Sequence, residues 1–392
     1  MGELCYTTGY SMRLESSPLV EQHASWLAPR TIVGCPASCG YCFLKPEGLT
    51  RVAPQVQQSP HRAIANLLDS NLYQPHIPVV LGTETDMFAT PSNREYLTDF
   101  TTLWNKQKLV NPLIMVTKSK IDSLMIDHFK RLKENGSVFI FFLSFSGLDN
   151  KIERGINHRE LEQNFARLFK AGLNVIHYWR PLVPQNSKRE VMDGVVTSVR
   201  PFTGTSVITG LAMHEGMRAQ FDFWPQIQSG DIDLSLIETV YPAVAIENLK
   251  FIFTENGDHS FYYDTSCAVS HTLGQPNYNG TFTSSSCNQS QCPVDQRAIC
   301  GSFHINRSIA DEDVVACLKR LGLDCEYSVK YDDKRVPTLV VSFPLTGEQQ
   351  INITHTLRVK VKAETINSVS YYLWGSGHNK NNRYILPASK VE

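Results

Sequence analysis

The sequence is short of charge and of long apolar runs. Charged residues make up only 19% of the 392 residues, and the formal net charge at pH 7 is −1. Proteins devoted to non-specific binding of duplex nucleic acid are usually strongly basic, so this balance argues against that class, although it is compatible with a local basic groove. No apolar run is long enough to span a bilayer, and the opening stretch Met1–Cys5 lacks the charged and apolar regions of a signal peptide. We expect a cytoplasmic protein with no membrane partner.

Cysteine is missing from most of the chain and concentrated in two groups. None lies between Cys42 and Cys267, whereas Cys35, Cys39 and Cys42 fall within eight residues with the spacing C-x3-C-x2-C. Soft thiolate ligands favour an iron–sulfur cluster or zinc over hard cations. Zinc sites usually draw four ligands from two close pairs, and no second pair lies nearby. A cube held by three cysteines would keep one iron open to an outside ligand, while a zinc knuckle or a structural cysteine cluster is the alternative.

Strand-like and helix-like segments alternate over the first 250 residues. Such alternation predicts parallel βαβ units in an α/β fold, here a partial (β/α)6 barrel with chemistry at the carboxyl ends of its strands. A chain of this length also favours one large domain followed by a smaller one. The predicted strands are Thr31–Gly34, Val79–Gly82, Leu113–Thr117, Val138–Ser144, Val175–Trp179 and Ser206–Ala212, and the helices between them include His61–Asn71, Asn93–Lys106, Ser123–Asn135 and Arg159–Gly172.

The pattern changes after residue 250. The short apolar run Phe251–Phe253 predicts a strand, and the loop-rich segment Asn277–Gln291 lies among four further cysteines. A helix is expected from Asp311, followed by a hairpin of Cys325–Lys330 and Thr338–Phe343. We therefore divide the chain into a barrel (1–250), a cysteine-containing extension (251–305) and a small α+β C-terminal unit (306–392).

The first cysteine group, with Tyr41 immediately before its third member, resembles the signature of radical S-adenosylmethionine (radical SAM) enzymes. In that family the open iron of a 4Fe–4S cluster chelates the amino and carboxylate groups of S-adenosyl-L-methionine (SAM). One electron then splits SAM into methionine and a 5′-deoxyadenosyl radical. The resemblance implies Cys35, Cys39 and Cys42 as the ligands of the catalytic cluster, Tyr41 at the cofactor, and an electron donor such as flavodoxin or ferredoxin.

Further motifs are similar to those of the spore photoproduct lyase-like branch of this superfamily, over roughly residues 30–220. The segment Gly82-Thr83-Glu84 falls where the family has a glycine–glycine–glutamate motif that holds the SAM amino group, with threonine replacing the second glycine. The resemblance places further cofactor-binding positions at strand ends: Ser144 and Ser146 toward the SAM carboxylate or ribose, Arg180 toward the carboxylate, and Ile208 on the adenine side.

The chain also departs from that branch. Spore photoproduct lyase uses a cysteine of its second-strand region as a hydrogen-atom donor, and this chain has Thr83 and Thr85 there. A thymine-dimer lyase with that chemistry is therefore not expected. The substrate stays open between a nucleotide or nucleic acid and a peptide or small metabolite. The alternative to an enzyme is a non-catalytic iron–sulfur or zinc regulator that binds nucleic acid.

The second cysteine group supplies enough soft ligands for a complete coordination sphere. It could hold an auxiliary 4Fe–4S cluster that relays electrons, or a structural zinc ion, which has no redox chemistry. Free thiols are the third interpretation, with Cys267 as the first candidate for a hydrogen-atom donor. The members of this group are Cys267, Cys287, Cys292 and Cys300.

Overall fold

In a computed structural model of the chain, the described residues are 19–213, 215–230, 239–278, 292–304, 308–331, 337–363 and 383–386. They form a mixed α/β fold around one large, mainly parallel sheet. No helix in these ranges is both long enough and apolar enough to cross a membrane.

Among the described residues, ten strands belong to the large sheet. In chain order the described strands are β1 (Val20–Gln22), β2 (Leu27–Pro29), β3 (Ile32–Val33), β4 (Ser38–Cys39), β5 (Gln55–Val56), β6 (Val79–Leu81), β7 (Leu113–Thr117), β8 (Phe139–Leu143), β9 (Glu153–Arg154), β10 (Asn174–Leu182), β11 (Thr205–Ala212), β12 (Thr239–Pro242), β13 (Ser260–Tyr262), β14 (Tyr327–Tyr331), β15 (Pro337–Val341), β16 (Lys360–Ala363) and β17 (Arg383–Leu386).

The helices between the strands begin at residues that cap them. Ser59, Thr90, Asp122 and Asn157 each accept a hydrogen bond from the backbone N–H three residues on, which satisfies a donor that the first helical turn leaves free. The helices are α1 (Pro60–Asp69), α2 (Pro91–Lys106), α3 (Ser123–Glu134), α4 (His158–Lys170), α5 (Arg189–Val199), α6 (Pro225–Gln228), α7 (Ala243–Glu255), α8 (Thr265–Thr272), α9 (Val294–His304), α10 (Asp311–Arg320) and α11 (Gly347–Leu357).

Seven neighbouring strands of the large sheet run parallel, in the order β2-β6-β7-β8-β10-β11-β13. All five residues of β8 are buried, as expected for a parallel sheet that is covered on both faces. Five of the six predicted strands and the four predicted helices are confirmed to within a few residues. The first, Thr31–Gly34, does form a strand, β3, but that strand is not part of the parallel sheet as predicted. Leu27–Pro29 joins the parallel sheet beside Val79, while Ile32–Val33 pairs antiparallel with β5.

The two faces of the sheet have different surroundings. On one face, Phe142 packs edge-on against Trp26 and Tyr178, with ring centroids 6.0 and 5.3 Å apart. On the other face, Trp179 and Ile208 pack with the buried residues of α5 and α7. Alternation of side chains along each strand therefore decides whether a residue reaches the inner face or lies under the helices.

The predicted strand Phe251–Phe253 is also wrong, because these residues lie in α7. The buried residues of that helix are Ala245, Leu249 and Ile252, whose spacing of four and three residues is that of one helix face. A three-residue apolar run cannot by itself distinguish this face from a strand. Helix α7 crosses residue 250, where we drew the barrel boundary, and the three-domain division remains a prediction.

The C-terminal unit is built from β14, β15, β16, α10 and α11. The predicted hairpin is confirmed, since β14 and β15 pair antiparallel with Val329 opposite Leu339. The unit has a hydrophobic core of its own. It contacts the large sheet through α11, where Asn352 donates to Gln22 at 3.1 Å and His355 bonds to the carbonyl oxygen of Ala24 at 3.0 Å.

Candidate active site

The three-cysteine loop follows β2 and lies at the edge where the parallel strands end. Cys35 forms an isolated bridge with Thr50, and Cys39 lies in β4 opposite Glu153 of β9. The backbone N–H of Cys42 donates to the carbonyl oxygen of Cys39 at 3.1 Å. Cys39 is buried and the other two are half-buried, and all three are free thiols. The loop is thus an ordered structure, which backbone hydrogen bonds attach to Glu84 after β6 and to the segment that contains β9.

The three thiols share one poorly hydrated environment. Burial raises the pKa of Cys35 to about 11 and that of Cys39 to about 12, and it also raises the pKa of Cys42. For two of the thiols, the charges of neighbouring cysteines contribute to the raised pKa: Cys42 raises the pKa of Cys35, and Cys35 and Cys42 both raise the pKa of Cys39. Without a metal these thiols stay protonated at neutral pH, whereas binding to iron or zinc would release their protons.

Glu153 is a buried carboxylate that joins the cysteine loop to the ends of two strands. One oxygen accepts hydrogen bonds from Lys118 Nζ at 2.7 Å, from Ser146 Oγ at 2.8 Å and from the Tyr41 hydroxyl. The other oxygen has no hydrogen-bond partner and lies 3.4 Å from His158 Nδ1. Because a buried charge is costly unless it is paired, this cluster depends on Lys118.

Asp86 makes a second polar junction at the ends of β6 and β7. Its carboxylate accepts from the hydroxyls of Thr117 at 2.8 Å and Ser119 at 2.9 Å, and from the backbone N–H of Lys118 at 2.9 Å. Its charge also contributes to the raised pKa of Cys35. Asp86 therefore fixes the backbone from which Lys118 reaches Glu153.

The segment Gly82-Thr83-Glu84 lies against the start of the cysteine loop. The carbonyl oxygen of Glu84 accepts from the backbone N–H of Gly34 at 3.0 Å. Gly82 has φ +78°, and an added Cβ would lie 2.7 Å from Met87 Cγ, so only glycine fits without rearrangement. The Glu84 carboxylate pairs with Arg30 Nε at 3.1 Å. Burial raises the pKa of Glu84, and Arg30 opposes that shift.

The remaining predicted cofactor positions divide into two groups. The carbonyl oxygen of buried Ser144 accepts from Lys118 Nζ at 2.7 Å, and Ser146 donates to Glu153. Arg180 Nη1 donates to the Tyr178 hydroxyl at 2.7 Å on the inner face, and its charge lowers the pKa of Cys42. Ile208 is different: its side chain packs under α5 and α7 and does not join the other residues. Val207, the residue before it, belongs to the inner core. Because successive side chains of a strand point to opposite faces, Ile208 points toward the helices.

The distal cysteines lie elsewhere. Cys267 is on α8, Cys300 is on α9, and Cys292 precedes α9, whereas Cys287 lies outside the described residues. Cys267 and Cys292 both contribute to a raised pKa of the buried Tyr262 hydroxyl, so they lie near that group. Helix α8 and the following turn contact Ser25, just before β2, through Thr265 and Tyr278. These contacts are at the amino end of β2, whereas the three-cysteine loop follows its carboxyl end.

No three His, Cys, Asp or Glu side chains within the described ranges are arranged to hold a single metal ion. The residues that sequence reasoning did not assign to the site are Lys118, Glu153 and Asp86. Lys118 and Asp86 follow the ends of β7 and β6, which is the signal that could have identified them, whereas Glu153 lies in β9, ten residues beyond the end of β8. The predicted positions that the structure brings together are Cys35, Cys39, Cys42, Tyr41, Gly82, Glu84, Ser144, Ser146 and Arg180, with Thr83 beside them in the chain.

Comparisons with known proteins give structural matches. No protein-family model and no curated protein matches the sequence. Among solved structures, the chain is similar to spore photoproduct lyase complexed with dinucleoside spore photoproduct, at 15% identity and a TM-score of 0.41. That match covers 54% of this chain and 63% of the lyase chain, so it spans less than two thirds of the lyase.

Two further solved structures have similar scores. A single-residue variant of spore photoproduct lyase matches at 13% identity and a TM-score of 0.48, over 64% of this chain and 80% of the variant. SuiB from Streptococcus suis, solved with bound S-adenosylmethionine, matches at 9% identity and a TM-score of 0.43, over 73% of this chain and 69% of SuiB.

Proposed function

We propose that this chain is a radical SAM enzyme whose parallel sheet is a partial (β/α)6 barrel. Cys35, Cys39 and Cys42 would hold a 4Fe–4S cluster at the edge of the sheet, and SAM would bind beside it. When bound, this cofactor pair supplies the one-electron cleavage of SAM to methionine and a 5′-deoxyadenosyl radical, which abstracts a hydrogen atom from the substrate. The observation that carries the proposal is the ordered three-thiol loop directly against the Gly82–Glu84 segment.

The donor set suits an iron–sulfur cube better than a single zinc ion. Around one tetrahedral zinc ion with Zn–S bonds of about 2.3 Å, sulfurs would lie about 3.8 Å apart. No three His, Cys, Asp or Glu side chains among the described residues are arranged to hold a single ion, yet Cys42 raises the pKa of Cys35 and both raise the pKa of Cys39, so the three thiols are neighbours. In a cube each cysteine binds a different iron, so separated but neighbouring thiols are what it needs.

The groups around the loop would bind and orient SAM. Glu84 keeps a partly exposed carboxylate beside Arg30, with a side chain 24% accessible, so an ammonium group could reach it as a second cationic partner. Arg180 places a cation on the Cys42 side of the loop, suited to a carboxylate. The hydroxyl of Ser146 is already used by Glu153, so we assign it to holding the site and leave Ser144 as the serine that contacts SAM.

Substrate and partners follow the same proposal. The substrate is a nucleotide or nucleic acid, or a peptide or small metabolite, and a flavodoxin- or ferredoxin-type donor supplies the electron. The distal cysteines Cys267, Cys287, Cys292 and Cys300 are proposed to hold an auxiliary 4Fe–4S cluster, with structural zinc as the alternative. The three-domain division at residues 250 and 305 is part of this proposal.

Anaerobic reconstitution with iron and sulfide, followed by a deoxyadenosine assay under dithionite, tests the function. We expect Cys35→Ala, Cys39→Ala and Cys42→Ala each to abolish deoxyadenosine formation, because each removes one of three protein ligands. Cys325→Ser is the matched control, since this half-buried thiol belongs to the C-terminal unit and should leave the yield unchanged. Full activity in any one of the three alanine variants would refute the assignment. A reconstituted cluster with no deoxyadenosine would favour the regulator.

A further inference from the structure

Lys118 and Glu153 form a buried ion pair in contact with Tyr41 of the cysteine loop. Nζ and Oε1 are 2.7 Å apart, and the two side chains are only 14% and 0% accessible. Lys118 follows β7, and its backbone N–H donates a hydrogen bond to the Asp86 carboxylate. Glu153 lies in β9. At this depth water screens charges poorly, so the pair acts strongly on its immediate surroundings.

The pair is connected to the loop in two ways. Glu153 is the residue opposite Cys39 in the β4–β9 pairing, and its carboxylate accepts a hydrogen bond from the Tyr41 hydroxyl. Lys118 Nζ also lies over the Tyr41 ring, 5.7 Å from its centroid. The pair thus lies between the carboxyl ends of the strands and the middle of the loop, next to Cys39 and Cys42.

The two charges act on the same sulfur with opposite signs. Glu153 lies opposite Cys39 in the β4–β9 pair, and Lys118 Nζ lies 2.7 Å from the Glu153 carboxylate. The cation favours negative charge on the neighbouring sulfur, and the carboxylate opposes it. Both charges also contact Tyr41, the residue before Cys42: Glu153 accepts a hydrogen bond from its hydroxyl, and Lys118 lies over its ring. Any negative charge that a bound group carries at these sulfurs would be subject to the same two influences.

We propose that the Lys118–Glu153 pair sets the reduction potential of the iron–sulfur cluster held by Cys35, Cys39 and Cys42. The inference rests on the proposed function. Reduction transfers one electron from an external reductant such as dithionite to the cluster, and no bond or proton need change. A bound cluster would gain one negative charge, which Lys118 would stabilise and Glu153 would destabilise, because nearby charges tune cluster potentials. The two residues act as positioning residues and are not ligands.

The test is a redox titration of the reconstituted cluster without SAM, followed by its electron paramagnetic resonance signal. Glu153→Gln should make the potential less negative, and Lys118→Met should make it more negative. We expect each change to alter the ratio of reduced to oxidised cluster about tenfold at a fixed potential, or about 59 mV for a one-electron couple. The double variant should lie between the two single variants, near the wild type.

A matched pair in the same part of the chain provides the control. Lys120 and Glu160 form an ion pair at 3.3 Å on the surface, with Lys120 52% accessible. Lys120→Met and Glu160→Gln should leave the cluster potential unchanged. Lys118→Arg, which keeps the charge, should also stay close to the wild type, whereas a purely structural role would make it resemble Lys118→Met.

The outcomes separate this inference from the proposed function. A wild type that binds no iron–sulfur cluster refutes the function. A wild type with a cluster whose potential is the same in both single variants, or moves in the same direction in both, overturns only the role of the pair. If Glu153→Gln does not fold, Lys118→Met decides alone, and an unchanged potential in that variant overturns the inference.

Discussion

Cys39 and Glu153 lie opposite each other in the short antiparallel pair of β4 and β9. Beside them, the backbone N–H of Gly40 donates to the carbonyl oxygen of Ile152 at 2.7 Å, and the Phe223 ring lies 3.3 Å from where a Cβ of Gly40 would be. The middle of the cysteine loop is therefore clamped between the segment after β8 and the segment after β11. A loop held in this way presents its thiols in a fixed arrangement before any metal binds, which lowers the ordering cost of metal binding.

The first prediction concerns Glu84. We expect Glu84→Gln to weaken SAM binding about ten- to hundredfold, because one charge-assisted hydrogen bond is worth about 1.5–3 kcal/mol. Calorimetric titration of the reconstituted protein measures the dissociation constant, and the iron content should stay at the wild-type value. Glu47→Gln is the control, because Glu47 is a nearby but exposed carboxylate. Partial burial and the charge of Glu84 both raise the pKa of Glu47. An unchanged dissociation constant in Glu84→Gln would mean that the segment Gly82-Thr83-Glu84 is a strand-ending turn that does not bind SAM.

The second prediction concerns Gly82. Gly82→Ala should lower the free energy of unfolding by about 2–4 kcal/mol, because it combines a left-handed backbone with a Cβ placed 2.7 Å from Met87 Cγ. Gly48→Ala is the matched control: Gly48 has φ +72° but nothing within 4 Å, so only backbone strain of about 1–2 kcal/mol remains. Urea unfolding gives both values. Equal losses in the two variants would mean that Met87 moves aside without cost.

The third prediction concerns stability below neutral pH. His355 is buried between α11 and β1, where burial lowers its pKa from 6.5 to about 3. Between about pH 3 and pH 6.5, His355 is therefore protonated in the unfolded chain and neutral in the folded chain. Stability should fall as the pH drops from 6.5 toward 3, by up to about 1.4 kcal/mol per pH unit for this group. His259, whose pKa burial lowers to about 4, adds to the slope above that value.

Urea midpoints at pH 7.5, 6.5 and 5.5 test the pH effect. His355→Gln should be less stable at pH 7.5, since it loses the bonds of the ring to Gln22 and to the carbonyl oxygen of Ala24. Its midpoint should nevertheless depend less on pH than that of the wild type. His61→Gln, at an exposed position of α1, should retain the full wild-type slope. A variant of His355 with the wild-type slope would rule out this source of acid sensitivity.

The fourth prediction concerns the distal cysteines. If they hold a second 4Fe–4S cluster, the reconstituted wild type should contain about eight iron atoms per chain, and the variant that replaces all three loop cysteines with alanine about four. Adding Cys267→Ser and Cys292→Ser to that variant should remove the remaining iron, because both thiols lie near Tyr262. Zinc in place of iron would favour a structural zinc site. The absence of both metals would indicate that the four cysteines are free thiols.

The candidate cluster ligands could be identified from the sequence because their information is local. Three cysteines within eight residues must lie near one another in any compact loop, whatever the rest of the chain does. Helices such as α2 and α4 were likewise predictable, since their capping residues and apolar spacing are contained within one segment. The glycine at position 82 belongs to this class too, because its strand-ending turn is short.

The charges around the loop could not be assigned in that way. Lys118 and Glu153 meet only because β7 and β8 pair and the following segment folds back onto β4. Ile208 faces the helices because the register of β11 beside β10 sets which of its residues reach the inner core. The first strand was misplaced for the same reason, since Leu27 pairs with Val79 far along the chain. Local composition determined the three-cysteine loop, whereas long-range strand pairing decided which charges surround it, because pairing depends on backbone partners that no single segment contains.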